Sequence, residues 1–162
     1  MHCGAGAIVL PGNHGWKQYA MKKIHFEEAL DNILAKDPRY ETQAYHFLRE
    51  ALDYTVKMLA KPVEGPGRHV SGAELLDGTR QYALQEFGLM AKTVLNRWGI
   101  SHGEDFGELV FNLVEQGVLG KSEDDKREDF TGGYDFTEAF VTPFLPRSRV
   151  EQPAAPSSTH AE

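Results

Sequence analysis

Residues 40–60 read YETQAYHFLREALDYTVKMLA, and the spacing of their apolar side chains decides the fold class. Ala44, Phe47, Leu48, Ala51, Leu52, Thr55 and Leu59 recur at i, i+3 and i+4 over several turns, so one face of a long helix carries them all. A face that wide must be covered by other elements, which makes this the expected central helix of a mainly α domain.

The neighbouring segments supply the cover. Phe26, Ala29, Leu30 and Ile33 predict a helix over 25–36, with Pro38 barring its continuation. The run KPVEGPGRHV at 61–70 has two prolines and two glycines and reads as a loop. A third helix opens at Ser71, because Ser71-Gly72-Ala73-Glu74 has capping-box spacing, and Leu75, Leu76, Thr79, Tyr82, Ala83 and Phe87 form its inner face. Gly88 suits a left-handed stop, and Gly99 does the same for a fourth helix over 89–98. Ser101-His102-Gly103-Glu104 repeats the box and opens a fifth helix, with Phe106, Leu109, Val110, Leu113 and Val114 inward until Gly117.

Beyond Gly117 the pattern changes. A charged stretch over 121–129 is followed by FTGGYDF at 130–136, where aromatic-bearing ends around Gly132-Gly133 predict a β-hairpin. The expected fold is therefore mainly α: a compact five-helix domain with a C-terminal β-hairpin, its second half winged-helix-like in element order. Gly78 and Gly107 fall inside predicted helices at a cost of about 1 kcal/mol each relative to alanine, which points to close helix crossings there.

The ends read differently from the middle. Residues 1–23 carry His2, Cys3 and several glycines without periodicity and are expected to be a disordered leader, with Met21 an alternative initiator. The domain proper spans 24–145, and 146–162 is a Pro-, Ala- and Ser-rich tail with too little apolar surface to offset the entropy of ordering.

Composition narrows the functional classes. Seventeen Lys and Arg against 24 Asp and Glu give a net charge of -7, which repels nucleic-acid phosphates and anionic lipid surfaces. No stretch approaches the roughly 18 apolar residues of a membrane-spanning helix, so no membrane partner and a cytoplasmic location are expected. Cys3 is the one cysteine, so a single chain forms no internal disulfide and no cysteine-based zinc cage.

Several blocks taken together resemble a family of small bacterial proteins of unknown function. They are Arg68-His69-Val70-Ser71-Gly72 with Glu74-Leu75-Leu76, Tyr82-Ala83-Leu84 with Phe87-Gly88, Trp98-Gly99-Ile100, Asp105-Phe106-Gly107 with 110–114 (VFNLV), and Asp129-Phe130 with Tyr134-Asp135-Phe136. The resemblance covers roughly 26–144 and implies a compact bacterial domain, with no known activity, cofactor or catalytic residue to carry over.

The candidate ligand-binding residues are Arg68, His69, Ser71 and Glu74. They place a guanidinium, an imidazole and a hydroxyl at the start of the third helix, where free amides and the helix dipole favour an anion. The plainer reading has Ser71 capping the helix, Arg68 paired with Glu74 or Asp77, and His69 tying the loop to the core. A Ser-His nucleophile is disfavoured, because a capping hydroxyl is poorly placed to attack. His25 with Glu28, and His46 with Glu50, sit one turn apart but lack the repeated Glu-x-x-His order of a carboxylate-bridged metal site. No cofactor or metal is expected.

DNA binding through the fifth helix is disfavoured by charge. That segment carries Glu104, Asp105, Glu108 and Glu115 with no Lys or Arg, whereas phosphate contacts come largely from basic side chains. The leading expectation is a non-catalytic interaction or regulatory module that contacts another protein or itself.

Overall fold

A computed structural model describes residues 7–9, 15–61, 69–121 and 126–146 of the chain. The elements are β1 (Ala7–Val9), α1 (Gly15–Lys36), α2 (Thr42–Met58), β2 (Val70–Ser71), α3 (Gly72–Phe87), α4 (Ala91–Arg97), α5 (Gly103–Glu115), β3 (Gly120–Lys121) and α6 (Phe136–Phe140). The protein is mainly helical, as the apolar periodicity requires.

α2 is the centre of the core. Ala44, Tyr45, Phe47, Leu48, Ala51, Leu52, Thr55 and Val56 are all buried along it. Leu59 is not, because the helix ends at Met58 and Ala60 turns the chain at φ +48. Phe47 is the aromatic hub, with ring centroids 5.4 Å from Tyr82, 5.9 Å from Phe87 and 5.8 Å from Trp98. α3 crosses α2 closely at Gly78, where a Cβ would lie 1.8 Å from Thr55 Oγ1. The close approach expected at Gly107 is made to a ring rather than to a helix: a Cβ there would meet Phe130 at 2.9 Å.

All three expected glycine stops have positive φ. Gly99 is the most constrained, since a side chain would strike the Arg39 carbonyl at 2.3 Å as well as sit at φ +92. The α4 segment begins two residues later than spacing suggests: Gly88–Met90 is a 3-10 turn, and the α-helix starts at Ala91. α1 starts at Gly15, ten residues before the expected position, and β1 also lies within the segment read as a leader. The C-terminal tail from 147 onward lies outside the described residues.

Two further expectations are corrected. The second capping box is displaced by one residue: His102 is the N-cap, and the Asp105 carboxylate, not Glu104, accepts from the Ser101 and His102 amides at 2.9 and 3.0 Å. Asp105 also accepts the Tyr40 hydroxyl at 2.6 Å, and this long-range bond fixes the register. The hairpin expected at 130–136 is not formed. Arg127–Phe130 is a 3-10 turn, Gly132 reverses the chain at φ +69, and α6 follows, capped by Asp135, which accepts from the Thr137 and Glu138 amides. Phe136 and Phe140 then stack edge to face at 5.1 Å one helical turn apart, a contact that paired strands would not make.

Strand pairing occurs elsewhere. β1 lies between β2 and β3 and is antiparallel to both, with Ala7 opposite Ser71, Ile8 opposite Val70 and Lys121, and Val9 opposite Gly120.

Candidate functional site

Ser71 and Glu74 are occupied by the start of α3. Ser71 Oγ accepts from the Glu74 amide at 3.1 Å, and the Glu74 carboxylate accepts from the Ser71 amide at 2.8 Å. Lys61 completes the arrangement, donating to Glu74 Oε2 at 3.0 Å and to the His69 carbonyl. Burial alone would raise the Glu74 carboxyl, but the Ser71 amide and the Lys61 ammonium together hold it below its ordinary value. The start of α3 thus already holds a carboxylate with its counter-ion.

His69 is half-buried, and its Nδ1 has no hydrogen-bond partner among the described residues. Arg68 lies outside the described residues. Asp77, expected as one of its partners, pairs with Arg80 at 2.7 Å. Lys61 was missed by the sequence reading because its link to Glu74 spans a loop, and no local spacing announces it.

A second polar group gathers where α5 meets the α1–α2 turn. Asp37 is held by Arg39 at 2.7 Å and by Asn112, whose amide donates to it at 3.1 Å and to the Tyr45 hydroxyl at 3.0 Å. The Arg39 bonds dominate and keep the Asp37 carboxyl far below the carboxylate range, against the opposing effect of burial. Burial, then the Asp105 bond, raises the Tyr40 hydroxyl well above an ordinary phenol. Glu108 bridges Arg39 at 3.3 Å and Arg127 at 2.6 Å, while the Arg127 guanidinium lies 5.3 Å from the centre of the Phe111 ring. These residues clamp the 127–130 turn onto α5.

The helix expected to read a partner is itself part of the core. Of the 13 residues of α5, Gly103, Phe106, Gly107, Leu109, Val110, Phe111 and Leu113 are buried, leaving a narrow acidic strip. His46 sits 3.6 Å from Glu27 on α1, and Glu50 accepts the Tyr82 hydroxyl at 2.9 Å. Among the described residues, no group of three or more His, Cys, Asp or Glu could hold a metal ion. None of the described helices is long and apolar enough to cross a membrane.

Among the described residues, the most exposed large apolar side chains lie on the two segments that adjoin α6. Leu89 is 67% and Met90 51% exposed on the 3-10 turn that packs against α6, and Phe144 and Leu145 are exposed just beyond α6. Beside them, between α4 and α6, an open groove of about 640 Å³ is lined by Lys92, Asn96, Ser101, His102, Tyr134 and Thr137 among others. Its polar groups are largely engaged, with Lys92 donating to Thr137 Oγ1 at 2.8 Å and Ser101 Oγ 2.9 Å from His102 Nδ1. Leu89 and Met90 were predicted as the start of a helix, yet they fall off the Ala91 and Leu95 face, a signal that could have marked them as outward. Comparison with protein-family models, curated proteins and solved structures finds no match for this chain.

Proposed function

We propose that the chain is a non-catalytic protein-interaction module whose contact face is the apolar surface flanking α6. The observation that carries this reading is the exposure of Leu89, Met90, Phe144 and Leu145 on the two segments that adjoin one short helix. Exposed apolar side chains are common singly, but a cluster rimmed by polar groups is what an interaction site presents. The candidate polar residues support it from the other side: the Ser71 hydroxyl and the Glu74 carboxylate are used to start α3, which leaves no free nucleophile and base pair there. The burial and acidity of α5 argue against DNA as the partner.

Photo-crosslinking in the native cell tests the proposal. A benzoylphenylalanine at Leu89 should capture a discrete protein, whereas one at the exposed Asp53 on α2 should not. Equal labelling from both positions would exclude the α6 flank as the contact face. The His69 Nδ1, without a partner among the described residues, favours a second reading, a small anionic ligand held by His69 before the start of α3. Inorganic phosphate should then raise the melting temperature of the chain but not of His69→Ala, and an identical response of the two would end that reading.

A further inference from the structure

β2 and β3 never pair with each other. β2 leads directly into α3 and β3 follows α5, so both belong to the helical core, where Val70 and the adjacent Leu119 are buried. The strand that joins them comes from elsewhere in the chain: β1 fills the space between them and is antiparallel to each. Neighbouring strands lie about 4.8 Å apart, so β2 and β3 stand about 10 Å from each other, the width of one missing strand. Without β1, the facing backbone groups of Val70, Ser71, Gly120 and Lys121 would have no ladder partner. The core therefore builds a slot with two backbone edges and receives into it a short segment, Ala7–Val9.

The occupant is weakly held and well defined. Only two residue pairs on each side register it. A strand with so few ladder bonds opens at a small fraction of the cost of global unfolding. The connection to α1 is the five residues between Val9 and Gly15 and includes Pro11 and Gly12. Backbone pairing supplies the affinity of such a slot, and the register seen here, Ala7 to Ser71 and Val9 to Gly120, is available to the same segment whichever copy of the chain supplies it.

We propose that the slot between β2 and β3 is a strand-acceptor site, and that in trans it takes the Ala7–Val9 segment of a second copy of the chain. Two molecules that trade segments fill both slots with the same ladder bonds, so the exchange sacrifices no pairing and is driven by concentration. The arrangement is symmetric and closes at two copies. It is independent of the apolar surface around α6, and either proposal can fail without the other.

The test uses the full chain with Cys3→Ser throughout. One preparation carries Val9→Cys and another Gly120→Cys, at positions that face each other in register. The two are incubated together at high concentration and treated with a short bis-maleimide, and the product is identified by mass. The expected product is a covalent link between the two chains, joining the thiol introduced by Val9→Cys to the thiol introduced by Gly120→Cys. Adding Ile8→Pro to the first chain, which removes a ladder donor from a strand paired on both sides, should lower its yield about tenfold or more. Placing both substitutions in one chain shows whether the register exists in solution. An intrachain link there, with no link between the separate chains, would overturn the exchange, and no link in either arrangement would overturn the slot itself. Circular dichroism of each variant establishes that the helical core is intact, so loss of the link reports on the strand.

Discussion

Replacing Gly78 by alanine puts a methyl group where α2 already is. The added Cβ would lie 1.8 Å from Thr55 Oγ1, 2.8 Å from its Cβ and 3.0 Å from its Cγ2. An ordinary contact needs about 3.5 Å, so the helices would have to part by more than an ångström or Thr55 would have to move. Thr55 is fully buried, and its hydroxyl donates to the Ala51 carbonyl at 2.6 Å. Rotating it away would leave a buried hydroxyl unsatisfied, at about 1–3 kcal/mol. Alanine gains about 1 kcal/mol over glycine in a helix, while overpacking of this severity costs about 3 kcal/mol or more. The expected net loss is about 2 kcal/mol, read from urea unfolding followed by far-ultraviolet circular dichroism. A double-mutant cycle separates the clash from other effects: in a Thr55→Ala background, Gly78→Ala should cost at least about 1 kcal/mol less than in the wild type. A Gly78→Ala variant as stable as the wild type, or more so, would mean that α2 and α3 do not cross at this point.

Other consequences are as specific. Ala60 turns the chain at φ +48, a region that favours glycine, so Ala60→Gly should raise stability by about 0.5–1 kcal/mol in the same urea assay. Ser71→Ala removes the cap of α3 and should cost about 1 kcal/mol, seen as a lower melting temperature in calorimetry. Asp37 is held below its unfolded value, so its contribution is complete above an unfolded pKa of about 3.9 and drains away as the pH falls through the folded value. The urea midpoint should accordingly fall less steeply between about pH 5 and pH 2 in Asp37→Asn than in the wild type.

The helices could be read from the chain because their signals are local. An apolar face repeats within one segment, as from Ala44 to Thr55, and a serine start or a glycine stop acts on neighbouring amides, as at Ser71 and Gly99. The errors arise where a distant residue chooses between local options. Ser101-x-x-Glu104 and His102-x-x-Asp105 both offer a helix start, and Tyr40, 65 positions away, selects the second by bonding to Asp105. The Gly132-Gly133 reversal was legible, but Asp135-x-x-Glu138 just after it is itself a helix-start signal, and Phe136 with Phe140 completes the one-turn spacing that makes α6. β1 could not be read, because a three-residue strand among glycines is defined by the two edges that receive it. At the candidate site, the Ser71–Glu74 pair followed from spacing, while Lys61 and the Asp37–Arg39–Glu108–Arg127 chain depend on segments that only the fold brings together.

Two methionines already in the chain offer the most direct test of the proposed contact face. Met90 stands beside Leu89 near α6, and Met58 is exposed at the far end of α2. Both should oxidise readily in the isolated protein under hydroxyl-radical footprinting. In the native cell, Met90 should become protected while Met58 stays as reactive as before. Met90 oxidising in the cell as fast as it does in isolation would contradict the account.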